Sequence, residues 1–166
     1  MDDFKTERII VMACSLDLAK SLILYREELV KRSPILMPDS WPSHLFKGFL
    51  PFFIEEVEKG ADGLKFWIIA DLKQKKMVGD LVFHHHTDDT GYMAVSYISP
   101  EAEAEYMEES LYIFLKYTAN SLGRPVRHVE IECRKQDLSK QKILKELDFR
   151  RLREDALFAN WFFKYE

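Results

Sequence analysis

The alternation of apolar and polar positions divides the first third of the chain cleanly. Residues 7–14 (ERIIVMAC) are apolar and β-branched over the length of one strand. Ser15 follows at an N-cap position, and Leu18, Leu22, Tyr25 and Leu29 recur at three- and four-residue spacing. That spacing predicts an amphipathic helix ending near Arg32, ahead of Ser33-Pro34. Pro34, Pro38 and Pro42 make 34–43 an irregular loop, with Trp41 inside it. Helical spacing returns over 44–59 through Leu45, Phe49, Phe52, Phe53 and Val57, and Gly60 is a natural stop.

The period then changes. Residues 64–72 (LKFWIIADL) and 77–86 (MVGDLVFHHH) predict strands joined by the charged turn 73–76, and a second turn, 87–91, leads into a third strand over 92–98. Ser99-Pro100 opens a helix on which Met107, Leu111, Phe114, Leu115 and Thr118 trace one face, and Gly123 and Pro125 end it. Residues 126–133 (VRHVEIEC) alternate as a strand with one buried face, 138–147 predict a short helix, and strands over 149–157 and 159–165 close the chain. The resulting order, β-α-α-β-β-β-α-β-α-β-β, is an α/β (α+β) arrangement. It implies a mixed, mostly antiparallel sheet with helices on both faces, whose β-α-β unit closes right-handed. No repeat or low-complexity linker interrupts it, so residues 1–166 are expected to form one domain.

Composition narrows the function classes. A chain of 166 residues can bury roughly two-thirds of its unfolded surface, and 47% hydrophobic with 13% aromatic residues supplies the core. The net charge of −4, spread along the chain, gives no basic stripe for nucleic acid. Apolar runs are too short to span a membrane. The opening MDDFKTERII has no basic leader before an apolar segment, so no secretory signal is expected. Cys14 and Cys133 form no C-x-x-C pair, and a reduced, cytoplasmic setting is the simplest reading.

Several phrases, weak singly, occur in an order and spacing that resembles the GNAT acyl-CoA N-acyltransferases over nearly the whole chain. The wording is similar to the branch that acetylates the N-termini of ribosomal proteins and related small substrates. They are Thr6-Glu7-Arg8 before the first strand, Val78-Gly79-Asp80-Leu81-Val82-Phe83, Gly91-Tyr92 through Ile98 and Pro100, and Ile143-Leu144-Lys145-Glu146-Leu147-Asp148-Phe149. The resemblance implies acetyl-CoA as co-substrate, no metal, and a small-molecule or peptide amine as acceptor, with a homodimer left open. It places the donor beside Ser96, Tyr97 and Ile98 on a splayed strand. A glycine-rich turn then offers free N–H groups at a helix N-terminus to the pyrophosphate, where a Cβ would collide with phosphate oxygens.

At that turn the chain departs from the family's pattern. Aligning Tyr106, Met107 and Ser110 with the family's helix puts Glu101-Ala102-Glu103-Ala104-Glu105 on the glycine-rich segment. The segment has no glycine and three carboxylates. Two unit charges about 6 Å apart repel by roughly 3 kcal/mol at an effective dielectric near 20, so acetyl-CoA is expected to bind weakly. The same glutamates are also good first-turn residues on a helix with no ligand. The family's Asn before the last helix falls on Asp137, its Ser on Lys140, and its Tyr, often the acid for the leaving thiolate, on Gln141. Two functions follow: acetyl transfer to a primary amine, or a non-catalytic binding module whose groove is filled by its own acidic helix start.

Other candidates come from the strands. His84 and His86 share a strand face, where an imidazole can deprotonate an amine, chelate a metal with Asp88 or Asp89, or simply end a polar strand. Glu130 and Glu132 share a face of the strand that the resemblance puts beside the cleft, and solvated edge carboxylates would look the same. Trp41 either lines a substrate pocket or anchors the core. Cys133 reads as a buried small hydrophobe.

Overall fold

The computed structural model describes residues 3–86, 89–123 and 125–166, with the side chains of Leu45 and of residues 119–121 left aside. The element order is β1 (Phe4–Lys5), β2 (Ile9–Ala13), α1 (Leu16–Leu24), α2 (Arg26–Arg32), α3 (His44–Glu58), β3 (Leu64–Asp71), β4 (Lys76–His85) and β5 (Thr90–Tyr97). Then come α4 (Pro100–Ser121), β6 (His128–Arg134), α5 (Leu138–Glu146), β7 (Arg150–Glu154) and β8 (Phe158–Lys164). One eight-stranded sheet runs β1-β2-β3-β4-β5-β6-β8-β7. Every neighbour pair is antiparallel except β5 and β6, which α4 connects as a parallel crossover. The strands over 92–98 and 126–133 are thus neighbours, as the pattern predicts.

Two expectations change. The helix predicted over 15–32 is two helices: Tyr25 leaves helical geometry at φ −138°, its N–H closing α1 on the Ser21 carbonyl and its own carbonyl opening α2 by accepting from Leu29. The two-residue β1 was not predicted. Its Phe4 pairs with Val11 and is buried against the rings of Trp67, Phe114 and Tyr117. The turn at Thr87-Asp88 lies outside the described residues.

Helices cover the two faces unequally. On one face α4 and α5 bury Trp67, Ile69, Leu81, Phe83, Met93, Val95, Val129, Ile131 and Trp161. On the other, α1 and α3 with the 33–43 loop bury Phe66, Ile68 and Met77 of β3 and β4 around Trp41, Phe46, Leu50 and Phe53. Both faces of β3 are therefore buried, which explains its unbroken apolar run. The cover of the second face stops at β4. His84 near the end of β4 and, beyond that strand, Tyr92, Ala94, Ser96 and Glu132 are exposed. No helix among the described residues is long and apolar enough to cross a membrane.

Candidate functional site

The sheet opens at one place. β5 pairs with β4 from Gly91↔His85 to Tyr97↔Gly79, but with β6 only from Thr90↔His128 to Met93↔Ile131. β6 continues to Arg134 while held to β8 on its other edge. From Ala94 onward β5 and β6 part. Bonds from His86 N–H to the Thr90 carbonyl (2.9 Å) and from Ile98 N–H to the Val78 carbonyl (3.0 Å) fix the phase of the β4–β5 ladder. In an antiparallel ladder the residues between bonded pairs direct their backbone groups outward, so Val95 and Tyr97 face the gap. Ser96, singled out from the sequence, turns its backbone toward Asp80 on β4 instead; Val95 was missed because the period-2 signal locates side chains and is silent on backbone phase.

The gap leads into a cleft of about 540 Å³ between the starts of α4 and α5, lined among others by Tyr97, Ile98, Glu103, Ala104, Asp137 and Ser139. Gly79 makes the wall close-packed. A Cβ there would lie 2.5 Å from the Ser96 carbonyl oxygen and 2.9 Å from Tyr97 Cδ1. The Tyr97 ring crosses β4 at this point, and its hydroxyl meets Ser110 Oγ at 2.5 Å. Burial pushes the Tyr97 phenol well above its ordinary range.

Residues 101–105, aligned above with a glycine-rich turn, form the first turns of α4, which starts where Ser99-Pro100 predicts. Ser99 caps them: its Oγ accepts from Ala102 N–H (3.1 Å) and its carbonyl from Glu103 N–H (3.0 Å), while Pro100 has no N–H to offer. The positive end of α4 is thus largely satisfied by its own cap. The three glutamates also separate. Glu103 lines the cleft, whereas Glu101 and Glu105 are exposed, and the Glu105 carbonyl accepts from Arg8 (3.2 Å).

Of the other sequence candidates, Tyr106, Met107, Gln141 and Cys133 do not line the cleft, and Asp137 does. Tyr106 is buried and donates its hydroxyl to Asp71 (2.7 Å), and Met107 is fully buried in the core. Asp137 lines the cleft and caps α5 by accepting from Lys140 N–H (3.0 Å). Gln141 is occupied in holding the turn before α5: Nε2 donates to the carbonyls of Arg134 (3.2 Å) and Lys135 (2.8 Å), and Oε1 accepts from Arg151 (3.2 Å). Cys133 is buried, and burial pushes its thiol up.

On the uncovered face, His84 lies opposite Tyr92, whose other neighbour is Glu130. His84 and His86 therefore sit where β5 and β6 are still zipped, with ring centroids 6.5 Å apart, and His86 stands edge-on to Tyr92 at 5.9 Å. Asp88 lies outside the described residues, and Asp89 pairs with Arg127 (3.2 Å). No cluster of three or more His, Cys, Asp or Glu that could hold a metal occurs among the described residues. Glu130 pairs with Arg153 (2.9 Å). Trp41 is buried and stacks with Phe66, and its Nε1–H donates to Asp80 Oδ2 (2.9 Å). Burial pushes the Asp80 carboxyl up to about 6, partly offset by the indole bond. Arg26 fixes the loop behind Trp41 through the carbonyls of Pro38 (2.9 Å) and Trp41 (2.7 Å).

No protein-family model matches the sequence, and no curated protein sequence matches it. Solved structures do. A ribosomal-protein-S5-alanine acetyltransferase from Vibrio fischeri aligns at TM-score 0.67 and 13% identity, covering 99% of this chain and 97% of its own. RimL, a ribosomal L7/L12 alpha-N-protein acetyltransferase in complex with coenzyme A, aligns at TM-score 0.64 and 14% identity over 98% of each chain. The Campylobacter jejuni N-acetyltransferase PseH, in complex with acetyl coenzyme A, aligns at TM-score 0.60 and 14% identity, covering 95% of this chain and 99% of its own. At such identities the likeness is one of fold. The chain has the fold of the GNAT acetyltransferases.

Proposed function

We propose that this chain is a GNAT-type N-acetyltransferase that moves an acetyl group from an acyl-thioester donor, acetyl-CoA or a close relative, to a primary amine of a small molecule or peptide. The observation that carries the reading is the parting of β5 and β6 after Met93 and Ile131, continuous with the cleft at the start of α4. Outward-facing backbone groups of Val95 and Tyr97 suit the amides of a pantetheine arm, which an extended ligand can meet as a further strand would. A thioester supplies an acyl carbon with a good leaving group; the chain's own residues bind the arm, exclude water and orient the amine.

The donor's two halves fit unequally. The arm matches the strand edge. The diphosphate does not match the start of α4, where Ser99 and Pro100 leave few free N–H groups and the carboxylates of Glu103 and Asp137 line the cleft. Acetyl-CoA is therefore expected to bind at high micromolar Kd or weaker in isothermal titration, with acetyl-pantetheine, which lacks the diphosphate, close behind. Glu103→Lys should tighten acetyl-CoA by roughly tenfold at low salt, about 1.4 kcal/mol. The gain should shrink as ionic strength rises and be absent for acetyl-pantetheine. Low-micromolar binding by the unmodified protein would show that the two carboxylates do not oppose the diphosphate. Release of free thiol in the presence of primary amines tests the reaction itself. A chain that binds either donor yet releases no thiol with any amine is not a transferase. The binding-module reading required the helix start to fill the groove; the cleft instead keeps about 540 Å³.

A further inference from the structure

Asp80 stands out among the groups not yet given a role. It is a carboxylate inside an apolar strand, 8% exposed, on the edge between the covered and uncovered halves of the sheet face. Its partner among the described residues is the Trp41 indole, bound to Oδ2. Trp161 Nε1 is the sole sealed side-chain polar atom without a partner among the described residues, so the second oxygen of Asp80 is not sealed.

We infer that Asp80 is the carboxylate that pairs with the incoming ammonium group and takes its proton, with Trp41 as the residue that positions it. The inference rests on the transferase reading of the gap. The cleft opens on the α4 and α5 side of the sheet, so the donor enters from there and the amine from the uncovered face. Asp80 lies on that same face of the sheet, at the margin of the part that Trp41 covers, and is the cross-strand neighbour of the exposed Ser96, at the level where β5 has already left β6. His84 lies four residues back, beside the zipped part. On β5, Ser96 opposite the carboxylate and Ala94 on the same face are small and exposed, so the approach to that edge of the sheet is open.

The surroundings suit this task. Facing Asp80 are uncharged Ile68 from β3, Ser96 from β5 and Trp41 from the loop. The titratable group beside it is Tyr97, whose phenol is pushed up by burial first and then by the charges of Glu103 and Asp80, and whose hydroxyl is held by Ser110 of α4; His84 lies four residues along the same strand face. A carboxyl pushed up to about 6 is ionised at neutral pH and still a usable proton acceptor. The step balances. R–NH3⁺ gives one proton to the carboxylate, and the freed lone pair forms the N–C bond as the C–S bond breaks. The thiolate leaves with its electron pair and takes the second proton from nitrogen, and the Asp80 carboxylic acid later releases its proton to water.

The test is the pH profile of kcat/KM for thiol release with ethylamine as acceptor, in the unmodified protein, Asp80→Asn and Trp41→Phe. The unmodified profile should fall on its acid side with an inflection near Asp80's value of about 6. Asp80→Asn keeps an oxygen to accept from the indole, which the Trp41 N–H resonance verifies. It should lose about 100-fold or more in kcat/KM together with the acid limb. Trp41→Phe removes a bond that favours the ionised carboxylate, so its acid limb should move to higher pH. Activity of Asp80→Asn within about threefold of the parent, with the limb in place, overturns the assignment. If the unmodified protein transfers nothing, the transferase reading fails, and Asp80 is then judged by the Trp41 N–H resonance alone. An ammonium paired with Asp80 lowers the midpoint of its pH titration when ethylamine is added, and an unmoved midpoint rejects the pairing.

Discussion

Gly91→Ala should lower stability by about 3 kcal/mol, seen as a fall of roughly 6–12 °C in Tm by calorimetry. The cause is packing. Gly91 lies on β5 opposite His85, and a Cβ there would stand 2.0 Å from Cζ and 2.3 Å from Cε2 of Phe83. Phe83 is fully buried, with the ring of Phe114 at 5.9 Å and that of His85 at 6.4 Å, so its ring has nowhere to turn. Either Phe83 leaves its rotamer or β5 moves off β4. Gly48→Ala is the matched control. Nothing stands within 4 Å of its added Cβ, and it lies inside α3, where Ala is favoured over Gly by about 0.5–1 kcal/mol. The two substitutions should therefore shift Tm in opposite directions. A Gly91→Ala protein within 1 °C of the parent would mean that the β4–β5 contact is looser than these distances require.

Gly91 also shows how sequence and structure divide the explanation. The phrase Gly91-Tyr92 could be read as a strand opening, but the reason for a glycine there is a ring two strand positions away in space, which no local pattern contains. Long segments were legible for the opposite reason: α4, β5 and β6 bury one consistent face over many residues, and β3 and β4, buried on both faces over most of their length, carry long apolar runs. The Leu18, Leu22, Tyr25, Leu29 series ran through the break at Tyr25 because the break is a backbone event with no glycine or proline to mark it. β1, with two residues, is too short to carry a period at all.

The candidate cleft lies at a junction the sequence had singled out, while the details of its lining were not legible. The strand–helix junction at Ile98 to Pro100 is where the resemblance puts a donor, and the cleft lies there. The residues aligned with a glycine-rich turn are the helix start that Ser99-Pro100 sets by N-cap and N1 chemistry, and what no local pattern shows is that Glu103 lines the cleft while Glu101 and Glu105 do not. On the opposite face the histidines drew attention because they cluster, while Asp80 sat unremarked in MVGDLVF. The available signal was burial: β4 is buried on both faces from Met77 to Leu81, so a charged residue within that run is the anomaly that needs a reason.

That reason can be tested on stability, independently of any reaction. Burial raises the Asp80 carboxyl from 3.8 to about 6, so between those values the folded chain holds a proton that the unfolded chain has released. The favourable contribution is fully present below pH 3.8 and is lost as pH rises through 6; above it, the ionised carboxylate strains the fold. A shift of about two units corresponds to at most about 3 kcal/mol, and contact of the second oxygen with solvent reduces it. Asp80→Asn, uncharged and still able to accept from Trp41, should accordingly be more stable than the parent by about 1–2 kcal/mol at pH 7–8. The advantage should vanish near pH 4. Asp71 and Asp155, whose carboxyls are held low by backbone N–H bonds, tilt both proteins the other way as pH falls, so the difference between the two denaturant curves is the informative quantity. A gain in stability joined to a loss of transfer marks a carboxylate retained for chemistry. A loss of stability that does not vary with pH would instead make the Asp80–Trp41 bond a brace for the 33–43 loop, and the amine would have to find its base elsewhere on the uncovered face.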